Sequence, residues 1–283
     1  MAMTSRYHRA LGPHGFHRVH YTEWGDPANP KVLVCVHGLT RTGRDFDFLA
    51  AALEQDYRVI CPDIVGRGQS DWLNDKAYYS YPLYVSDMAM LMARLDAERI
   101  DWVGTSMGGL IGIFLASYPN NPIGKLLIND VGPRIPAAGL RRVAKYVGQV
   151  VAYDSLERME NVMRAVGSPF GQLSDEQWRH MTRHSARQLE DGRYAMDYDP
   201  GIAENFKNLD LKDIDLWPLW DRISCPTLVL RGAYSDVLDH ADAVAMTERG
   251  PKAQLIELPG MGHAPALMSD DQIAIVRDWL LAD

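Results

Sequence analysis

Six short runs of aliphatic and β-branched residues recur along this chain: VLVCV at 32–36, RVI at 58–60, WVG at 102–104, KLLI at 125–128, TLVL at 227–230 and LIEL at 255–258. Strands that are apolar on every residue belong to sheets covered on both faces. Between the runs, apolar residues recur mostly three and four apart, as in Leu83, Met88, Leu91, Met92 and Leu95, in Leu110, Ile111, Phe114, Leu115 and Tyr118, and in Ile273, Val276, Trp279 and Leu280. That spacing gives a helix one apolar face. Alternation of the two patterns predicts an α/β fold, a mostly parallel sheet with right-handed crossovers and helices on both faces.

The alternation stops after Asp130 and resumes near Thr227. The intervening stretch carries no convincing strand. It holds two helical stripes instead, Leu140, Val143, Ala144, Val147 and Val151, then Leu156, Met159, Met163 and Val166. Asp154 with Glu157, and Ser174 with Gln177, have the spacing of reciprocal N-terminal capping pairs. The expected organisation is a core of residues 1–132 and 216–283, with residues 133–215 forming a helical cap over the C-terminal edge of the sheet.

With 29 basic against 37 acidic residues, a net charge of −8 and 47% apolar side chains, the chain has the make-up of a globular protein with a sizeable core. Nucleic acid is not an expected partner, because such binding draws on clustered Lys and Arg. No apolar run approaches the ~18 residues of a membrane span, and the N-terminal stretch lacks the apolar core of a leader. A cytoplasmic protein is expected. Cys35, Cys61 and Cys225 are too few for a disulfide framework and read as buried thiols.

Gly104-Thr105-Ser106-Met107-Gly108 stands directly after one apolar run and directly before a helical pattern. A strand that turns at once into a helix forces its central residue into a strained conformation, and glycines on either side relieve the crowding. Ser106 then presents its hydroxyl at a helix N-terminus. A serine hydroxyl needs a base to take its proton and a third group to orient that base. His263, in the loop Pro259-Gly260-Met261-Gly262-His263-Ala264-Pro265 after the last strand-like run, is placed to reach over the sheet edge. Asp236, a few residues past TLVL, is the favoured orienting acid, with the chain order Ser106, Asp236, His263. Asp130, after KLLIN, is its rival, and Asp239 a weaker one. Donors for an oxyanion are expected from the backbone amides of Met107, at the helix start, and Leu39, in the loop His37-Gly38-Leu39-Thr40. His37 itself is expected to hold that loop by hydrogen bonds.

Taken together these residues resemble the α/β-hydrolase superfamily, specifically its serine-nucleophile, cap-bearing members. VCVHGLTRTGRDF, CPDIVGRGQSD, the elbow around Ser106, NDVGP and GMGHAP carry the likeness. The resemblance implies an eight-stranded type of sheet, a scaffold role for Asp63, and a cofactor-independent carboxylic ester hydrolase working through an acyl-serine on a small-molecule ester. Relatives that open epoxides or displace halide use an aspartate where this chain has Ser106. The alternatives that stay open are a serine-dependent C–C bond hydrolase acting on ring-fission diketones, a lactone hydrolase, and a non-catalytic ligand-binding member of the fold.

Other features read as structural. His14, His17 and His20 on an extended segment do not converge on a metal. His180 and His184 share a helix face that is expected to be solvated. Neither Gly66-x-Gly68 nor Gly260-x-Gly262 completes a dinucleotide-binding pattern, so no cofactor is expected. Arg134, Arg141 and Arg142 are expected on the wet side of a cap helix, with a substrate carboxylate as the lesser possibility.

Overall fold

A computed structural model describes residues 3–207 and 212–282. The strands are β1 (Thr4–Gly12), β2 (Gly15–Trp24), β3 (Val32–Val36), β4 (Arg58–Pro62), β5 (Ile100–Thr105), β6 (Ile123–Asn129), β7 (Arg134–Ile135), β8 (Ala186–Gln188), β9 (Tyr194–Met196), β10 (Ile214–Asp215), β11 (Thr227–Gly232) and β12 (Gln254–Leu258). The helices are α1 (Asp47–Leu53), α2 (Tyr81–Leu95), α3 (Met107–Ser117), α4 (Ala137–Tyr146), α5 (Leu156–Val166), α6 (Asp175–Ser185), α7 (Glu204–Lys207), α8 (Trp217–Trp220), α9 (His240–Glu248) and α10 (Asp270–Leu281).

Eight strands form one sheet in the order β1-β2-β4-β3-β5-β6-β11-β12. Only β1 against β2 and β2 against β4 are antiparallel; the other pairs are parallel. Strand β3 shows why its sequence is apolar throughout: Val32, Val34 and Val36 enter one core cluster, with α2 and α3, while Leu33 and Cys35 enter another, with α1 and α10. Alternate side chains of a strand point to opposite faces, and both faces here are covered. No described helix is long and apolar enough to cross a membrane.

All six apolar runs lie in strands of this sheet, and the three helical patterns became α2, α3 and α10. The N-terminal hairpin β1–β2 was not anticipated. It lacks an apolar run because most of β1 is exposed and the buried His8, His17 and His20 stand where aliphatics would.

Between β6 and β11 the chain leaves the sheet. The stretch is mainly helical, but four short strands, β7 to β10, form two two-stranded sheets of their own. Strand β10 pairs with β7, so the chain returns to the core beside the point where it left. Helix α4 ends at Tyr146, short of Val147 and Val151. Ser174 and Gln177 form the expected reciprocal cap on α6, whereas α5 is capped by Ser155 rather than Asp154. Met159, Met163, Trp178 and Met181 build a separate small core that also takes in Met268.

Candidate active site

Register brings the ends of three parallel strands level. Thr105 of β5 pairs with Asn129 of β6, and Asn129 with Leu230 of β11. The residues immediately beyond β5 and β6 are Ser106 and Asp130. Ser106 N–H donates to the Asn129 carbonyl at 2.9 Å, and Asp130 N–H to the Leu230 carbonyl at 2.8 Å.

Ser106 has φ of 52° and is the N-cap of α3. The flanking glycines are obligatory here. A Cβ on Gly104 would sit 2.3 Å from the Gly108 carbonyl oxygen, and one on Gly108 would sit 2.0 Å from that of Val36. With both absent, the strand end, the turn and the helix start pack backbone to backbone, and Trp102 Nε1 seals the contact by donating to the Gly108 carbonyl at 3.0 Å.

His263 Nε2 lies 2.9 Å from Ser106 Oγ, and His263 Nδ1 lies 2.7 Å from Asp130 Oδ2. A carboxylate can only accept, so Nδ1 carries the proton and Nε2 is left with its lone pair toward the serine. The Asp130 side chain is fully buried and His263 is 15% exposed. Two further donors hold the carboxylate: Gly232 N–H to Oδ1 at 2.8 Å and Ser235 Oγ–H to Oδ2 at 2.7 Å. The histidine loop is gripped on both flanks by the inserted stretch, through Gly262 N–H to the Pro169 carbonyl and Ala266 N–H to that of Phe170. Asn129 joins the loop to the elbow, its Nδ2 donating to the Pro265 carbonyl at 2.8 Å and to Thr105 Oγ1 at 3.1 Å.

Asp236, the acid favoured from sequence, does not reach His263. Its side chain is 54% exposed and pairs with Arg142 at 2.6 Å. The preceding residue explains the difference: Ser235 turns inward, accepts from Val237 and Leu238 N–H and donates to Asp130, which sends Asp236 outward. Asp239 pairs with Arg134 at 3.0 Å. Ser235 and Asn129 carry no signal in sequence beyond being polar residues at strand ends.

Around the two expected oxyanion donors, the geometry is tight. Met107 is the first residue of α3, whose opening amides have no intrahelical acceptor. A Cβ on Gly38 would lie 3.8 Å from Ser106 Cβ. The Gly38 carbonyl accepts from His37 Nδ1 at 2.7 Å and from Arg41 N–H at 3.1 Å, so across the planar trans peptide the Leu39 N–H is aimed the other way. Ile64 N–H donates to His37 Nε2 at 2.9 Å. Burial lowers the His37 pKa to about 4, and the ring stays neutral as that pair of bonds requires. Asp63 ties the same region together, accepting from His20 Nδ1, Gly43 N–H and Gln69 N–H. Burial works to raise its pKa, but the hydrogen bond and charge of His20, with the bond from Gln69, outweigh it and hold the carboxyl below its ordinary range.

Asp47, His180 and His184 have ligand atoms within 4.8 Å of one another, a set that would suit a metal ion. Two of the three already have partners within the protein: Arg44 Nε donates to both Asp47 oxygens, and His180 Nε2 donates to the Arg44 carbonyl at 3.0 Å. His180 and His184 are half-buried, with the His180 ring against those of Phe48 and His184, instead of forming the solvated face expected of them. Arg134 and Arg142 likewise bridge the inserted stretch to Asp239, Asp242 and Asp236 rather than facing water alone.

Residues 33–276 match the model of the alpha/beta hydrolase family. The chain belongs to that family. It is a hydrolase of the esterase type, and its eight-stranded, mostly parallel sheet is the family's fold. A 3-hydroxybutyrate-oligomer hydrolase of Cupriavidus necator is 45% identical over 279 residues, covering 96% of this chain and 95% of that one. A serine hydrolase-like protein of Danio rerio is 25% identical, covering 91% of this chain and 83% of its own. The crystal structure of an alpha/beta hydrolase from Novosphingobium aromaticivorans superposes with a TM-score of 0.87 at 36% identity, covering 99% of both chains.

Proposed function

We propose that the protein hydrolyses carboxylic esters through an acyl-serine intermediate, with Ser106 as nucleophile, His263 as general base and then acid, and Asp130 as the orienting acid. The observation that carries this reading is the continuous relay Asp130 Oδ2–His263 Nδ1 at 2.7 Å and His263 Nε2–Ser106 Oγ at 2.9 Å. As Ser106 Oγ attacks the ester carbonyl, His263 Nε2 takes its proton, and the buried Asp130 carboxylate stabilises the imidazolium that forms. The Leu39 and Met107 amides receive the oxyanion. Collapse expels the alcohol with the proton from His263; water, deprotonated by the same ring, then attacks the acyl group and frees Ser106.

Residues 133–215 act as the cap, the reading supported by their exit and re-entry at β7 and β10 and by their grip on the His263 loop. Short 3-hydroxybutyrate oligomers are the substrate class, drawn from the 45% identical relative of Cupriavidus necator. Each linkage of such an oligomer is a secondary-alcohol ester, the bond class that attack by Ser106 Oγ would cleave. The three free cysteines fit a reducing compartment and a cytoplasmic enzyme. The test is turnover of the 3-hydroxybutyrate dimer and of p-nitrophenyl butyrate by wild type and Ser106→Ala. Ester turnover lost in the variant is the expected result; an inert wild type, or faster turnover of a vinylogous 1,5-diketone, contradicts the reading.

A further inference from the structure

Arg67 is fully buried, among the largest side chains with no exposure. A guanidinium out of water is normally matched by a carboxylate, because leaving its charge unanswered is costly. None of the ion pairs among the described residues involves Arg67. Its hydrogen bonds all go to neutral acceptors: Nε to the Leu39 carbonyl at 2.8 Å, Nη1 to the Val65 carbonyl at 2.7 Å and to Tyr84 Oη at 3.0 Å, and Nη2 to Met107 Sδ at 3.7 Å. The rings of Tyr84 and Tyr79 lie 5.0 and 5.8 Å from its central carbon. Nearby carboxylates are committed elsewhere. Asp63 is held by His20, Gly43 and Gln69, and Asp199 by Lys76 and Tyr79.

The two residues flanking the guanidinium, Leu39 and Met107, are those whose amides are assigned to the oxyanion. We propose, resting on the ester-hydrolase reading above, that Arg67 is a positioning residue for the oxyanion hole. It fixes the Leu39 segment and lies against Met107, and its positive charge is answered only when the tetrahedral intermediate forms. A buried fixed charge needs no reorganisation when negative charge develops at the amides of the residues it holds, which is the condition under which such charges favour a transition state over a ground state. A clamp with a purely mechanical role would be served by its hydrogen bonds alone and would not distinguish anionic from neutral ligands.

The test uses full-length Arg67→Met and Arg67→Lys, with wild type and Ser106→Ala alongside. For each, kcat and KM for p-nitrophenyl butyrate are measured, with inhibition constants for phenylboronic acid, which forms an anionic tetrahedral adduct on a reactive serine, and for the neutral amide butyranilide. In Arg67→Met, kcat is expected to fall roughly 30- to 100-fold and boronate binding to weaken by a similar factor, with KM and butyranilide binding within about threefold of wild type. Arg67→Lys, which keeps a charge but not the fork of donors, is expected to lose about tenfold or less in both kcat and boronate affinity. A folded variant whose kcat falls without loss of boronate affinity, or whose butyranilide binding weakens as much as its boronate binding, overturns the proposal; Arg67→Lys decides the matter if Arg67→Met does not fold. Failure of the ester reading looks different: wild type inert, or Ser106→Ala as active as wild type.

Discussion

Asp130 and Asp236 stand just beyond the C-terminal ends of neighbouring parallel strands, and the two loops that carry them have little else in common. Asp130 is sealed from water, takes φ of 61° and gathers hydrogen bonds from Gly232, Ser235 and His263. Asp236 is more than half exposed and pairs with Arg142, itself 41% exposed. The first carboxylate is fixed by a set of donors that no water can replace; the second makes the kind of surface pair whose net contribution is usually under about 1 kcal/mol. Residue type and chain order do not decide which acid meets the histidine. What differs is the set of donors each meets, among them Ser235, which turns into the protein and takes one of the Asp130 oxygens as its acceptor.

The largest effect sets the scale. Ser106→Ala is expected to lower kcat on the order of 10⁴- to 10⁶-fold with the fold intact, measured as ester turnover together with thermal melting. A small loss would mean that neither loop serves the chemistry. Removing the hydroxyl that separates the two loops is expected to do far less. Ser235→Ala leaves Asp130 its bonds from Gly232 and His263, so kcat is expected to fall about 3- to 10-fold while KM hardly moves. A loss as deep as that of Ser106→Ala would give the serine a role that its contacts do not predict.

Burial also has a signature in pH. His37, His8 and His184 have their pKa values lowered by burial to about 4, against an ordinary value of 6.5. Between those values the unfolded chain binds protons that the folded chain does not, so stability is complete above about pH 6.5 and declines as pH falls toward 4. His37→Gln should lose stability overall but show a shallower decline of melting temperature across that window than wild type; an unchanged slope would remove His37 from the account. The smallest effect is on the exposed side of the comparison. Arg142→Ala breaks the pair with Asp236 and is expected to change kcat by less than about twofold and stability by less than about 1 kcal/mol, checked by turnover and urea unfolding.

Much of the molecule is legible in its sequence. Strands buried on both faces are apolar almost throughout, which makes VLVCV and TLVL legible as strands once they alternate with helical patterns, and the elbow is written in glycines because a Cβ at Gly104 or Gly108 would overlap backbone. His263 was legible for a related reason, as the one histidine in a glycine-rich loop after the last strand. The acid was not. Two aspartates at the ends of adjacent strands look alike in sequence, and the discriminating contact belongs to Ser235, whose inward turn depends on the backbone of residues 235–238. Arg67 carries no mark in sequence, because its segment reads as a scaffold turn and its missing counter-ion is a property of everything packed around it. His180 and His184 misled in the opposite direction: a polar helix face reads as solvated unless Arg44, Asp47 and Phe48 are known to lie against it.

The account turns on which carboxylate serves His263, and one side-by-side measurement addresses it: kcat/KM for the 3-hydroxybutyrate dimer with Asp130→Asn and Asp236→Asn. Asn at 130 keeps the shape but removes the charge and the acceptor that fix the histidine tautomer, so a loss of about 10³- to 10⁴-fold is expected, with Asp236→Asn within about threefold of wild type. Deep loss in Asp236→Asn with activity retained in Asp130→Asn would contradict it.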